Sequence, residues 1–198
     1  MIYLVRHGQS EWNLLRRTQG HIQHPALTEL GRRQAAAAAR TIRRDCELSG
    51  RRARSVVSSD LARAVQTAEI IAGALGIPLS VDRRWREQGL GRLQGMGYDA
   101  TFAALAAGPV GPDVPIGGGE SARQVTDRVA AALSGLDPAE VTVVVTHGDT
   151  IRCLLAHVAG AAPEEAVSEP VPNGTVLALG TGRQFGIRRL AGPPMAGV

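Results

Sequence analysis

Short apolar runs separated by helical patterns are the feature that most constrains how this chain can fold. The run TVVVT at 142–146 is the clearest buried strand, and IYLV at 2–5 and SVVS at 55–58 have the same character. Because strands that alternate with helices form a largely parallel sheet covered on both faces, we expect a three-layer α/β/α fold with a mostly parallel central sheet. Further strands are predicted at 78–81, 176–179 and 185–189.

Capping residues and breakers place the helices. Thr28 is a candidate N-cap for an alanine-rich helix that runs toward Arg44, and Ser59 or Asp60 is a candidate cap for a helix over 61–75 that stops at Gly76. The remaining helices are predicted at 98–107, from 120–121 to about 136, and at 150–158.

The length and apolar content fit one globular domain over 1–198. The chain has 198 residues and is 44% hydrophobic, which is enough for a substantial core. A small lid-like insertion is expected at about 84–120, with the Gly/Pro-rich loop at 108–119 as its most mobile part, and the segment 192–198 reads as a Gly/Pro-rich tail.

The charged residues favour an anion-binding protein but not a nucleic-acid-binding one. The chain contains no lysine, so its 22 cationic side chains are all arginines, which grip phosphate in a bidentate fork. A codon bias toward arginine would give the same count. The arginines are scattered and aromatic residues make up only 3% of the chain, which leaves little for stacking on bases.

Cysteine use and hydropathy indicate the compartment. Cys46 and Cys153 show no metal-binding spacing and are expected to be reduced thiols. No apolar run approaches the roughly 20 residues of a membrane helix, and the chain starts without a signal-like segment, so a soluble cytoplasmic protein is expected.

Three predicted strands end in residues that suit a phosphate group. The first ends in Arg6-His7-Gly8, the second is followed by a segment that reaches Arg63, and the TVVVT strand is followed by His147. Carboxyl ends of parallel strands share one edge of a sheet, where ligands bind, so two arginines and two histidines should meet beside helix N-termini with free N–H groups. No carboxylate cage or cysteine cluster accompanies them, so neither a metal nor another cofactor is expected.

The motifs, taken together, identify a family resemblance that covers residues 2 to about 179. In order they are LVRHGQSEWN, QG…PALTELG, SSDLARAVQTA, RWREQGLGRLQG, GGGES and VVTHGDTIR. This series resembles the histidine phosphatase superfamily in its phosphoglycerate-mutase-like branch, and the resemblance implies the corresponding fold.

The resemblance also assigns roles to residues. It implies that His7 is the nucleophile, that Glu87 is the acid that protonates the leaving oxygen, and that Arg6, Arg63 and His147 clamp the phosphate. Asn13 matches a position that touches the phosphoryl group. Ser10 and the backbone of Gly148 lie beside these residues and are further candidates for substrate binding.

These assignments agree with elementary chemistry. The two arginines should favour the neutral form of His7, which is the form that can attack phosphorus. Enclosure near Leu90 and Leu93 should raise the pKa of Glu87, so that it can act as an acid. Position 8 is expected to require a small residue such as Gly8, so that the backbone can approach the imidazole and the phosphate.

Several positions depart from the family pattern. Gln23, Arg92 and Leu93 replace residue types that are common in relatives, and Arg83, Arg84 and Arg86 are nearby in sequence. These changes suggest a more cationic pocket and a substrate with negative charge beyond its phosphate. His21 and His24 are spaced like metal ligands but are expected in a flexible surface loop.

The predicted function is a metal-independent phosphatase that hydrolyses small phosphate monoesters through a phosphohistidine. The short segment between Tyr98 and Glu120 favours hydrolysis over the alternative, phosphoglycerate mutase-type phosphoryl transfer, which needs a more enclosed pocket. A non-catalytic phospholigand-binding module is a further alternative. The expected partner is a small phosphorylated metabolite, without nucleic acid or membrane, and a homodimer is left open.

Overall fold

The computed structural model describes residues 1–161, 170–180 and 186–191. The strands are β1 (Ile2–Arg6), β2 (Ser55–Ser58), β3 (Leu79–Val81), β4 (Thr142–Thr146), β5 (Val176–Leu179) and β6 (Ile187–Ala191). The α-helices are α1 (Glu11–Leu14), α2 (Glu29–Leu48), α3 (Ala62–Leu75), α4 (Tyr98–Ala106), α5 (Ala122–Ser134) and α6 (Gly148–Val158).

One mixed sheet organises these elements, in the strand order β3-β2-β4-β1-β5-β6. The pairs β2–β3, β2–β4 and β1–β4 are parallel, and β1–β5 and β5–β6 are antiparallel. The predicted mostly parallel sheet is therefore confirmed. The last strand lies at 187–191 rather than 185–189; Phe185 and the tail at 192–198 lie outside the described residues.

Helices cover both faces of the sheet, as predicted. On one face α2 and α3 pack through small alanines and Ile42 and Ile71 against Tyr3, Val143 and their neighbours. On the other face α5 and α6 pack through Val125, Val129, Ile151 and Leu154 against Leu4 and Val144. Alternate residues of β1 and β4 thus enter opposite cores, which is why both strands are apolar at almost every position.

Helix α3 begins later than its capping pattern predicted. Its N-cap is Leu61, with no side-chain hydrogen bond, so the prediction of Ser59 or Asp60 as the cap is wrong. The hydroxyl of Ser59 instead contacts the imidazole of His147, and Asp60 forms an ion pair with Arg86. Both side chains bind residues that are distant in sequence, and these contacts prevail over the local preference for capping the helix.

The RHG loop packs backbone to backbone against the start of α2. A Cβ added at Gly8 would lie 2.2 Å from the carbonyl oxygen of Gly31, and one added at Gly31 would lie 2.1 Å from that of Gln9. The start of α2 therefore requires glycine at position 8, which is a constraint that the sequence did not reveal.

We expect Gly31→Ala to lower the free energy of unfolding by about 3 kcal/mol and to reduce activity, because the added methyl group displaces the loop that follows His7. Gly73→Ala is the matched control: it lies in α3 with nothing within 4 Å of the new methyl group and should raise stability by about 1 kcal/mol. Urea unfolding measures both. Equal effects of the two changes would contradict this packing.

Candidate active site

The carboxyl ends of β1, β2 and β4 bring the predicted site residues together. His7, Arg63 and His147 are 1%, 0% and 0% exposed, and the two imidazole centroids lie 5.0 Å apart. A cavity of about 400 Å³ opens there, and Arg6, His7, Arg63 and Glu87 are among its lining residues. Burying polar groups is costly unless they are hydrogen-bonded or paired, and atoms of Arg6, Arg63 and His147 lack a partner among the described residues, so the cluster is a candidate functional site.

His7 is held as a neutral imidazole with one free lone pair. Its Nδ1 lies 2.7 Å from the carbonyl oxygen of Gly8; since a carbonyl only accepts, Nδ1 carries the proton and Nε2 is the unprotonated nitrogen. Burial, together with the charges of Arg63 and Arg6, lowers the pKa of His7 well below its ordinary value. At neutral pH the ring therefore presents an unprotonated nitrogen, the form that can act as a nucleophile.

Arg6 and the buried Arg63 both donate to backbone carbonyl oxygens, and each keeps a nitrogen atom without a partner among the described residues. Arg63 donates to the carbonyl oxygens of Ile22 at 2.9 Å and Gly20 at 2.8 Å, and Arg6 donates to that of Val171. The Nε atoms of both arginines are buried without a partner among the described residues. Burial lowers the pKa of Arg63 to about 10, so it remains a cation at neutral pH.

His147 is oriented by Ser59, a residue whose role the sequence did not reveal. The Nε2 of His147 lies 2.9 Å from the hydroxyl oxygen of Ser59, and its Nδ1 is buried with no partner among the described residues. Burial and the charge of Arg63 lower the pKa of His147, so it is neutral. If the hydroxyl donates to Nε2, then Nδ1 carries the proton and is a donor for a phosphate oxygen.

Glu87 occupies the N-terminus of α6. Its Oε2 accepts from the N–H of Gly148 at 3.1 Å, and its Oε1 accepts from those of Asp149 at 3.1 Å and Thr150 at 3.2 Å. The prediction that free helix N–H groups contribute to phosphate binding is therefore wrong for α6, because the carboxylate takes its first three. Oε1 is crowded by donors, which leaves Oε2 as the oxygen better able to exchange a proton.

Opposing influences act on the pKa of Glu87. Burial raises it and the charge of Asp149 raises it further, while Arg6 and Arg63 act in the opposite direction. The net direction is upward, as predicted, and burial is the largest cause. A carboxyl with a raised pKa can carry a proton near neutral pH, and the helix N-terminus stabilises its ionised form.

Asn13 lines the cavity, and the Ser10 hydroxyl forms a hydrogen bond with its side chain. The side chain of Asn13 donates to the Tyr98 hydroxyl at 3.3 Å, and its oxygen accepts from the Ser10 hydroxyl at 2.9 Å. Ser10 is fully buried and is not among the residues that line the cavity. Gly148 does line it, but its N–H is directed at Glu87.

Asn173 is a further residue that sequence reasoning missed. Its amide donates to the carbonyl oxygen of His7 at 3.1 Å and to the side-chain oxygen of Asn13 at 3.2 Å, which ties both to the turn before β5. An Asn-Gly pair in a sequence indicates only a turn, so nothing local could reveal this contact.

The outer part of the cavity is largely apolar. Its wall includes Leu90, Tyr98, Phe102, Leu105 and Ile116. The predicted cationic pocket is wrong, because none of the four additional arginines lines the cavity: Arg84 pairs with Asp82, Arg83 and Arg86 pair with Asp60, and Arg92 lies outside the lining. One further arginine, Arg152, lines the cavity and is bonded to Asp149, which also lines it.

His21 is not the loose surface histidine that was expected. Its Nε2 lies 2.8 Å from the carbonyl oxygen of Glu87 and 3.3 Å from a carboxylate oxygen of Glu120. His24 is exposed and packs edge-on against Trp12, with ring centroids 5.4 Å apart. In the described part of the chain no cluster of three His, Cys, Asp or Glu side chains could hold a metal ion. No helix in that part is long and apolar enough to cross a membrane.

Burial of the two neutral histidines predicts a pH-dependent stability. Below about pH 6.5 the unfolded chain protonates His7 and His147 while the folded protein does not, so stability falls as the pH decreases. We expect His7→Asn to remove about 1.4 kcal/mol per pH unit of this dependence below pH 6.5. Urea unfolding at pH 5.0 to 7.5 measures the difference, and parallel curves for variant and wild type would contradict it.

Comparison with known proteins gives the class to which this arrangement belongs. A family model described as the histidine phosphatase superfamily (branch 1) matches residues 2–190. The chain belongs to this superfamily, and the resemblance inferred from its motifs is confirmed.

Relatives within the superfamily include mutase-like and phosphatase proteins. Over 164 residues the chain is 38% identical to phosphoglycerate mutase-like protein 4 of Arabidopsis thaliana, covering 77% of this chain and 68% of the relative. Over 174 residues it is 36% identical to "Probable phosphoglycerate mutase GpmB" of Salmonella paratyphi B, covering 80% and 74%.

A solved structure of a mycobacterial glucosyl-3-phosphoglycerate phosphatase in complex with VO3 is also similar, with a TM-score of 0.77, 31% identity, and coverage of 95% of this chain and 96% of that one.

Proposed function

We propose that this protein is a metal-independent phosphatase that hydrolyses phosphate monoesters through a phosphohistidine at His7. The observation that carries the proposal is the hydrogen bond from Nδ1 of His7 to the Gly8 carbonyl oxygen, which leaves Nε2 as the nucleophilic atom of a ring on which the charges of Arg63 and Arg6 act. The unpartnered Nε atoms of the arginines and Nδ1 of His147 supply donors for the phosphoryl oxygens.

In the first half-reaction the lone pair on Nε2 of His7 forms a bond to phosphorus, and the bond from phosphorus to the ester oxygen breaks. The proton on Glu87 passes to that oxygen, so the leaving group departs as a neutral alcohol. The phosphorylated ring keeps its Nδ1 proton, and the Gly8 carbonyl oxygen stabilises its positive charge. The arginines neutralise charge on the transferring phosphoryl group.

In the second half-reaction the ionised Glu87 takes a proton from water, and the water oxygen attacks phosphorus. The phosphorus–nitrogen bond breaks, which regenerates neutral His7 and releases inorganic phosphate. The N-terminus of α6 suits this step, because its first three N–H groups stabilise the ionised carboxylate of Glu87 until a water molecule binds.

The character of the outer cavity supports hydrolysis over phosphoglycerate mutase-type transfer. A phosphoglycerate carries a carboxylate in addition to its phosphate and needs a second cation. Among the described residues that line the cavity, Arg152 is the one arginine outside the clamp, and it is already bonded to Asp149. The apolar wall at Tyr98 and Phe102 suits a monoester with a less polar alcohol. The names of the two mutase-like relatives keep phosphoryl transfer as the alternative.

The deciding experiment incubates the protein with a panel of phosphate monoesters in EDTA. We expect release of inorganic phosphate unaffected by the chelator, and acid quenching should destroy a phosphoenzyme that alkali preserves. Loss of activity in EDTA would exclude the proposed mechanism. Transfer of phosphate to a second phosphoglycerate instead of to water would favour the mutase, and stoichiometric binding of monoesters without turnover would favour a non-catalytic module.

A further inference from the structure

A pair of charged residues holds the segment that carries Glu87, in addition to the contacts of that segment with α6. Arg128 of α5 donates to three carbonyl oxygens of this segment: those of Arg84 at 2.8 Å, Arg86 at 2.7 Å and Glu87 at 2.9 Å. One guanidinium therefore fixes the path of the backbone on both sides of the general acid. Such a fork of rigid donors suits Arg and not Lys.

Glu120, the acidic residue of the GGGES motif, holds Arg128 in place. Its Oε1 accepts from Nε of Arg128 at 2.8 Å, and its Oε2 accepts from the second arm of the guanidinium at 3.0 Å. The two side chains are only 17% and 22% exposed, so solvent weakens this bidentate pair little. Burial opposes ionisation of Glu120, but hydrogen bonds from His21 and Arg128 outweigh it and lower its pKa to about 2.

Glu120 also binds the acid segment directly. Its carboxylate accepts from the N–H of Gly89 at 2.8 Å, its own N–H donates to the Gly89 carbonyl oxygen at 2.7 Å, and its carbonyl oxygen accepts from the Gln88 amide at 2.8 Å. His21 adds a contact from the other side, since its Nε2 lies near both the Glu87 carbonyl oxygen and Glu120.

The glycines of the motif allow this contact to be backbone to backbone. A Cβ added at Gly119 would lie 2.0 Å from the Gly89 carbonyl oxygen, and one added at Gly91 would lie 2.1 Å from that of Gly117. Residues 117–119 are thus interlocked with 89–91. Movement of the loop at 108–119, which was predicted as the lid, would be confined to the part before this interlock.

We infer that Arg128 and Glu120 are positioning residues that hold Glu87 at the leaving-group oxygen. The inference rests on the proposed function, because it assumes that Glu87 is the general acid. The guanidinium of Arg128 is committed to Glu120 and to the carbonyl oxygens of the acid segment, and neither Arg128 nor Glu120 is among the residues that line the cavity. Both therefore act on Glu87 and not on the substrate. Their loss should therefore impair proton transfer to the leaving group and leave phosphate binding intact.

Leaving-group dependence tests this positioning role. An alkyl phosphate such as butyl phosphate needs a proton on its leaving oxygen, whereas 4-nitrophenyl phosphate departs as a stable phenolate and needs little help. We expect Arg128→Ala to lower kcat/KM, which reports the half-reaction in which the leaving group departs, at least about tenfold more for butyl phosphate than for 4-nitrophenyl phosphate. The Kd for inorganic phosphate should stay nearly unchanged. Glu120→Gln should show the same selective loss, and serves as the second variant should Arg128→Ala fail to fold.

Matched variants complete the design. Arg123→Ala removes an arginine of the same helix that pairs at the exposed surface with Asp113, and it should behave as wild type. Arg128→Lys should not rescue activity, because an ammonium group cannot reach three carbonyl oxygens and a carboxylate together. Adding Arg128→Ala to Glu87→Gln should cause no further loss of activity on butyl phosphate, since the two residues act through one proton transfer.

The outcomes separate this inference from the proposed function. Equal loss on both substrates in Arg128→Ala and Glu120→Gln, or an additive double variant, would overturn the positioning role. If Glu87→Gln itself shows no preference for the better leaving group, then the general acid of the proposed function is misassigned and the inference falls with it. Selectivity in Glu87→Gln without selectivity in the other two variants would reject the inference alone.

Discussion

Replacement of His7 by alanine should reduce kcat/KM by at least about 10⁴-fold for every phosphate monoester and abolish the phosphoenzyme. The expected loss is large because Nε2 of His7 forms the bond to phosphorus, and no other imidazole lies among the described residues that line the cavity. The second imidazole, His147, directs its Nε2 at the Ser59 hydroxyl rather than at the cavity. The measurement is initial rates together with acid and alkaline quenching of phosphoenzyme.

A control separates this chemistry from a general effect of losing a histidine. His24→Ala removes an exposed imidazole that packs on Trp12, and it should keep wild-type rates. Since His7 is buried, the fold of the variant is checked by its thermal midpoint. A folded His7→Ala protein that still formed an acid-labile phosphoenzyme would show that another residue is the nucleophile.

Arg63→Met should lower kcat/KM by about 10³-fold and remove the thermal stabilisation that inorganic phosphate gives the wild type. The guanidinium is fully buried, its Nε has no partner among the described residues, and methionine preserves much of its volume without its charge. Arg63→Lys should also be impaired, because an ammonium cannot keep the bonds to Gly20 and Ile22 while it also binds phosphate.

The stability of the variant must be measured beside its activity. Loss of Arg63 leaves two carbonyl oxygens without donors, which lowers the free energy of unfolding by about 1–3 kcal/mol for each that stays buried. Arg33→Met, which breaks an exposed pair with Glu29 on α2, should change neither property measurably. A folded Arg63→Met protein that still bound phosphate normally would contradict the clamp.

Local pattern alone predicted the elements and much of the site. Strands β2, β4 and β5 have the predicted bounds. In β4 and β5, four or five consecutive apolar or β-branched residues are buried on both faces, which gives a signal that depends on no distant contact. Parallel pairing of β1, β2 and β4 then places Arg6, His7 and His147 at one edge, so the meeting of these residues follows from the order of elements.

The partners of those residues were decided by the tertiary structure. Ser59 had the sequence of a helix cap but bonds to His147, and Glu87 takes the N–H groups of α6 that were expected to face phosphate. The arginines at 83, 84 and 86 looked like pocket cations but pair with Asp60 and Asp82 outside the cavity.

The sequence by itself therefore determined which residue types stand at the strand ends, and so the kind of chemistry the site supports. Only the folded chain decided which atom of each residue is free. Every polar group has several acceptors or donors within its reach, and burial selects among them according to which partners lie within hydrogen-bonding distance. Arg128 and Glu87, 41 residues apart, illustrate this: neither sequence context indicates the other, yet three carbonyl oxygens around the acid depend on one guanidinium.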